Sequence, residues 1–175
     1  MKWLNVLFFL FLLKSSSLVA QSCDGTSLIN YSVRASQTGS NIGFELAQHQ
    51  TYYNPECDSR NLLVVHLLGS FDNPNSTSYY PTLAANNGFH VVVLKYSNLI
   101  AAQTACADSD DDTCYYKFRK EIIEGIDLSN EVEVDSINSI NNRLFRLLIH
   151  LNEEFPENNW GHFISSDNEV DWGHV

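Results

Sequence analysis

The chain has 175 residues, 44% of them apolar and 18% charged, which suits one globular domain with a sizeable core and excludes a disordered chain. Ten basic residues against 21 acidic ones leave a formal net charge of −11. Such a surface repels phosphate backbones and anionic lipid, and no basic run or basic patch with interleaved aromatics offsets it, so a nucleic-acid partner is not expected.

At the N-terminus, Lys2 precedes the apolar stretch WLNVLFFLFLL, and KSSSLVA follows it. A basic start, an apolar run of about 7–15 residues and small residues before a cut are the layout of a signal peptide, read here as residues 1–20 with cleavage after Ala20. Leu18 fits its position before that cut imperfectly. The run falls short of the roughly 20 residues that span a bilayer. Residues 21–175 are therefore expected to be secreted or periplasmic, with no stable membrane anchor. A signal anchor is the plainer alternative. The AQSC before Cys23 lacks the usual Leu-small-small order of a lipoprotein signal.

Cys23, Cys57, Cys106 and Cys114 form an even set, which in an oxidising compartment implies two disulfides. Of the three pairings, Cys106–Cys114 closing a short acidic loop is favoured, leaving Cys23–Cys57 to fasten the mature N-terminus. A zinc site needs tighter spacing such as C-x2-C, which is absent. No metal and no cofactor are predicted.

The mature chain opens with LINYSVRAS and IGFELAQHQTYY, two strands joined by the turn QTGSN, hence a hairpin. NLLVVHLL, Asn61 to Leu68, is apolar at nearly every position and reads as a strand buried on both faces. GFHVVVLKY, Gly88 to Tyr96, reads the same way. Between them lies a polar loop and then a short helix, with Ser76 or Ser78 as cap, Pro81 in the first turn and Gly88 as stop. Strand, loop, helix, strand is a βαβ unit, so these two strands should be parallel. Helices are predicted over Tyr115–Glu124, with Tyr115, Phe118 and Ile122 at helical spacing, and over Asp135–Phe155, capped by Asp135 and ended by Pro156. The second carries one apolar stripe: Ile137, Ile140, Leu144, Leu147, Leu148, Leu151 and Phe155.

Several constellations invite a function. Asp108, Asp110 and Asp112 imitate the first ligands of a calcium loop, but Thr113 and Arg119 stand where Gly and a bidentate Glu are needed. A looser cation site competes there with a solvated, disulfide-tied loop. WGH occurs at Trp160–His162 and again at Trp172–His174, twelve residues apart. Histidines so spaced share no helix face, so the doubling reads as coincidence rather than a metal site. Asn30-Tyr31-Ser32 and Asn75-Ser76-Thr77 are glycosylation acceptors in a eukaryotic secretory pathway. No G-x-S-x-G elbow exists, and GTSLI at Gly25 has Ile29 where Gly is required.

HLLGSFDNPN is more informative. A buried parallel strand, then Gly69 and a polar loop leading to a helix, can bring a backbone N–H against a carbonyl oxygen that gains charge during acyl transfer. Such a donor is worth roughly 2.7–4 kcal/mol in the transition state. The N–H of Ser70 or Phe71 is the candidate, with an ordinary strand-to-helix loop as the plainer alternative.

The segment LLVVHLLGSFDNPNSTSYYPTLAANNGFHVVVLKYSN resembles the third strand, oxyanion loop, first helix and fourth strand of an α/β-hydrolase. From CADSDDDTCYYKFRK onward the chain is similar to secreted α/β-hydrolase-like proteins of the BPSS-type bacterial subgroup. This resemblance covers about residues 61–175 and rests on the order of segments more than on one motif. It implies a three-layer α/β-hydrolase-like fold, a mostly parallel sheet with an N-terminal antiparallel hairpin, incomplete at a fifth strand that VDWGHV begins. By family order the nucleophile elbow, acid and histidine then lie beyond Val175. Residues 21–175 would be the N-terminal part of a secreted serine hydrolase acting on a small-molecule ester or acyl substrate. No catalytic residue would lie in this chain, which alone would be inactive. His66, His162 and His174 are not promoted to the catalytic base. The alternative is a non-catalytic secreted binding protein of the same fold. In either case NLLVVHLL would present an apolar strand edge prone to self-association, and residues 21–175 alone are expected to be insoluble or molten.

Overall fold

A computed structural model describes residues 23, 27–43, 47–76 and 79–175; the expected signal peptide lies outside them. In chain order the elements are β1 (Ile29–Arg34), α1 (Ala35–Thr38), β2 (Gln48–Tyr53), β3 (Leu63–Leu67), α2 (Tyr79–Ala85), β4 (His90–Leu94), α3 (Ala102–Ala105), α4 (Cys114–Glu124) and α5 (Ile140–Glu154). Single 3-10 turns follow at Pro156–Asn158, Trp160–Phe163 and Trp172–His174.

The sequence HVVVL places three β-branched residues in a row, which favours an extended chain with both faces covered. β4 is buried at all five positions. On one side it pairs in parallel with β3, Leu63 opposite His90 through Leu67 opposite Leu94. The crossover between them runs through α2, as the βαβ order predicted. On its other side β4 pairs antiparallel with β2, Thr51 opposite Val92, and β2 pairs antiparallel with β1.

The strand order is β1-β2-β4-β3. This corrects the expected mostly parallel, three-layer α/β-hydrolase-like sheet: the sheet is mixed, and β3–β4 is the single parallel pairing among the described residues. An unbroken apolar run shows that a strand is covered on both faces. It does not show which way its neighbour runs, and the polar sequence QHQT gave no sign that β2 would be buried beside β4. The predicted hairpin is present as a pairing but not as a tight turn, because α1 intervenes and β2 begins only at Gln48. β3 is also less buried than expected. It lies at the sheet edge, with Val64, Val65 and His66 half-buried and Leu67 44% exposed.

A fifth strand does not start at VDWGHV. Asp171 accepts a hydrogen bond from the Gly173 N–H at 3.0 Å, which bends the chain into a 3-10 turn. Ile164 and Val170 form an isolated antiparallel bridge before it.

α5 supplies much of the core. Ile140, Leu144, Leu147, Leu148 and Leu151 form its buried stripe, as the periodicity predicted, while Ile137 lies outside the helix and is exposed. The cap is Ser139, whose Oγ accepts from the Asn142 N–H at 3.2 Å. Asp135 instead closes a separate turn by accepting from the Asn138 N–H at 2.8 Å. Both residues are good caps by composition, and the one directly before the apolar stripe prevails. In α4 the inward face is Cys114, Phe118, Glu121 and Ile122, leaving Tyr115 half-exposed. Glu121 is buried but fully engaged, its carboxylate accepting from the N–H groups of Leu128, Ser129 and Val134. Both expected disulfides are present, Cys23–Cys57 and Cys106–Cys114.

Gly88 stops α2 in the left-handed region at φ +83°, and a Cβ there would sit 2.2 Å from the Asp58 carbonyl oxygen. Gly88→Ala is therefore expected to cost more than about 1 kcal/mol of unfolding free energy, read from urea denaturation. An unchanged midpoint would contradict the close approach.

Candidate functional site

The carboxyl ends of parallel strands are where open α/β sheets place ligands. Here the β3–α2 loop lies at that end. β3 gives way to Leu68, Gly69, Ser70, Phe71 and Asp72, and the last of these donates its N–H to the Gly69 carbonyl at 3.2 Å to close a turn. The segment after β4 grips this turn from below. The Tyr96 hydroxyl donates to the Leu68 carbonyl. Asn98 Nδ2 donates to the carbonyls of Gly69 and Asp72, at 2.8 and 3.0 Å. Asn98 is itself held by Lys95 Nζ, which donates to its Oδ1 at 2.7 Å.

Ser70 and Phe71, the two predicted donors, have different environments. The Phe71 N–H donates to the Asn98 carbonyl at 2.7 Å, so it is occupied by the grip on the loop. Phe71 also holds φ +70°, with its ring 69% exposed. The Ser70 N–H has no acceptor among the described residues, and Ser70 itself is half-buried. Gly69 does not need a left-handed conformation. Its lack of a Cβ makes room for the Asp72 carboxylate, which would lie 3.1 Å from a Cβ there.

Lys95, which holds Asn98, also belongs to a polar cluster that the sequence did not single out. His49 on β2 is fully buried, and its Nδ1 accepts from the Lys95 N–H at 3.1 Å. The ring therefore carries its proton on Nε2. Burial first, and the Arg143 guanidinium second, push its pKa down to about 3. Lys95 is lowered by the same two causes. Arg143 on α5 is fully buried, donating to the carbonyls of Asn138 and Gly43 and to Asn138 Oδ1. The signal available in the sequence was KYSN, a polar run directly after a buried strand.

The remaining candidates are placed elsewhere. His66 on β3 packs at a tilt against Tyr80, ring centroids 5.9 Å apart. Of the acidic loop, Asp111 is engaged by Thr113 and by Lys117 Nζ at 2.6 Å. Among the described residues no group of three or more His, Cys, Asp or Glu side chains is arranged to hold a metal ion. Nor does any described serine hydroxyl bond to a histidine, and all four cysteines are in disulfides. No described helix is long and apolar enough to cross a membrane.

His162 and His174 share no helix, as their spacing implied: they belong to separate 3-10 turns. His162 and His174 lie together, ring centroids 4.5 Å apart. The two 3-10 turns and the Ile164–Val170 bridge fold the intervening segment back on itself, a route that helix spacing cannot reveal.

No protein-family model, curated protein or solved structure matches the chain. The α/β-hydrolase resemblance therefore rests on the sequence segments alone.

Two outcomes are expected. Asn98→Ala leaves the Gly69 and Asp72 carbonyls without their donor and should lower unfolding free energy by about 1–3 kcal/mol, measured in urea. For His49 the folded pKa is depressed below the unfolded value of 6.5, so the unfolded chain takes up the proton first. Its contribution is complete above pH 6.5 and is lost as pH falls toward 3, at about 1.4 kcal/mol per pH unit. His49→Gln should remove that part of the slope between pH 6.5 and 4. A slope identical to the parent chain would exclude His49 as its source.

Proposed function

We propose that this chain carries the carbonyl-polarising loop of a secreted serine hydrolase acting on an ester or related acyl bond. The nucleophile, acid and base would come from a segment or chain beyond these 175 residues. The observation that supports the reading is the Ser70 N–H, unbonded within the described residues in a loop whose neighbouring groups are held by Asn98 and Tyr96. Donors already fixed in place need no reorganisation when charge develops on the substrate oxygen. Ser70 is the donor in this reading, and Phe71 helps hold the loop. Export is part of the same proposal: residues 1–20 have the layout of a signal peptide, and the two disulfides suit an oxidising compartment.

A fluorophosphonate probe tests this directly. Protein recovered from its native secretion should be labelled, on a serine outside residues 21–175, whereas residues 21–175 expressed alone should remain unlabelled. Absence of labelling in the native product would overturn the hydrolase reading, and labelling within residues 21–175 would overturn the assignment of the nucleophile.

A second reading, a non-catalytic secreted binding protein, is favoured by one observation. Among the described residues the outer edge of β3 has no strand partner, and it is bordered by exposed apolar groups, Leu62, Leu67, Tyr79 and Tyr80. Such an edge is a template for strand addition. Sedimentation should show residues 21–175 self-associating, and Leu67→Lys should shift them toward monomer. A monomeric parent chain would remove this reading.

A further inference from the structure

We propose that His162 and His174 form a binding site for a nitrogen-preferring divalent cation of the Zn2+ or Cu2+ class. Their rings lie 4.5 Å apart at 64°. Two imidazoles on one ion, with Zn–N bonds of about 2.0–2.1 Å, place their centroids roughly 5 Å apart, close to the separation here, and the edge-to-face rings turn so that a nitrogen of each faces the ion.

Both ligands are held. His162 belongs to the turn Trp160–Phe163, whose Trp160 and Phe163 side chains are completely buried. His174 Nδ1 lies 2.9 Å from Asp171 Oδ2, and Asp171 is in turn fixed by the Gly173 N–H on its other oxygen. A carboxylate at Nδ1 places the ring proton there and leaves the Nε2 lone pair free for a metal. This carboxylate-to-histidine arrangement orients and strengthens metal-ligating imidazoles. His162 Nε2 is shut away from solvent and has no hydrogen-bond partner among the described residues. Buried ring nitrogens are ordinarily satisfied, and a bound ion would satisfy this one. The segment joining the two turns carries exposed Asp167 and Glu169, and the net charge of −11 draws cations toward the surface. The protein supplies two ligands, and water fills the remaining positions. Imidazole donors select Zn2+ or Cu2+ over Mg2+ and Ca2+.

The test is calorimetric titration of the disulfide-intact mature chain with zinc chloride at neutral pH, read beside imidazole 15N spectra. One ion per chain should bind, with the His162 and His174 nitrogens both shifting and magnesium producing neither effect. His174→Ala, at a half-exposed position, should abolish binding, and Asp171→Asn should weaken it by roughly 10–100-fold. His66→Ala should change nothing. His162→Gln, checked for a parent-like melt, should behave as His174→Ala; if it does not fold, the His162 nitrogen shift in the parent chain decides that ligand. No zinc binding would overturn the site and leave a plain edge-to-face contact between the two rings. Binding that survives His174→Ala, or that leaves the His162 nitrogens unshifted, would also overturn it.

Discussion

The structure depends on removing β4 from water on both faces. Val91, Val92, Val93 and Leu94 are completely buried, and at about 25 cal/mol per Å2 of apolar area such a strand is a principal driving force for the fold. Its backbone needs a hydrogen-bonded neighbour on each side, and these are β2 and β3. Its faces need cover, to which α2 and the Leu144–Leu151 stripe of α5 contribute. Because β3 runs parallel to β4, the carboxyl ends of both strands emerge together. The chain leaving β4 thereby meets the chain leaving β3, and Tyr96 and Asn98 can hold the Leu68–Asp72 turn. The candidate site is thus a consequence of the parallel pairing.

The same constraint explains the buried polar groups. A β2 strand reading QHQTYY would ordinarily face water on one side, yet it is pressed between β1 and β4 and is buried at His49, Gln50, Thr51 and Tyr52. His49 remains neutral because a charge there would be desolvated and would face Arg143. In that state its Nδ1 accepts the Lys95 N–H, tying β2 to the start of the segment that grips the loop. Packing of the sheet and positioning of the loop therefore share one hydrogen-bonded connection.

How much of this was legible follows from the kind of signal each element carries. β4, α2, α4 and the stripe of α5 announce themselves through composition and period, and the crossover requires the parallel pair. The burial of β2 was not legible, because it results from what packs around a polar sequence. The cap of α5 was misplaced at Asp135, because Ser139, four residues later and directly before the helix, caps it instead. Of the site, HLLGSF marked the loop, but the division of labour between Ser70 and Phe71 depends on a hydrogen bond from Phe71 to Asn98, 27 residues later in the chain. The meeting of His162 and His174 depends on two tight turns and one isolated bridge, which no periodicity announces.

Amide hydrogen exchange resolved at Ser70 and Phe71, on the disulfide-intact protein recovered from its native secretion at neutral pH, tests the central claim most directly. An ordered loop with one open donor predicts a protected Phe71 amide, bonded to Asn98, beside a fast-exchanging Ser70 amide. A protected Ser70 amide would mean that it already has an acceptor and cannot receive a substrate oxygen. A fast Phe71 amide would mean that the loop is not held by Asn98, and the proposed polarising role would fall with it.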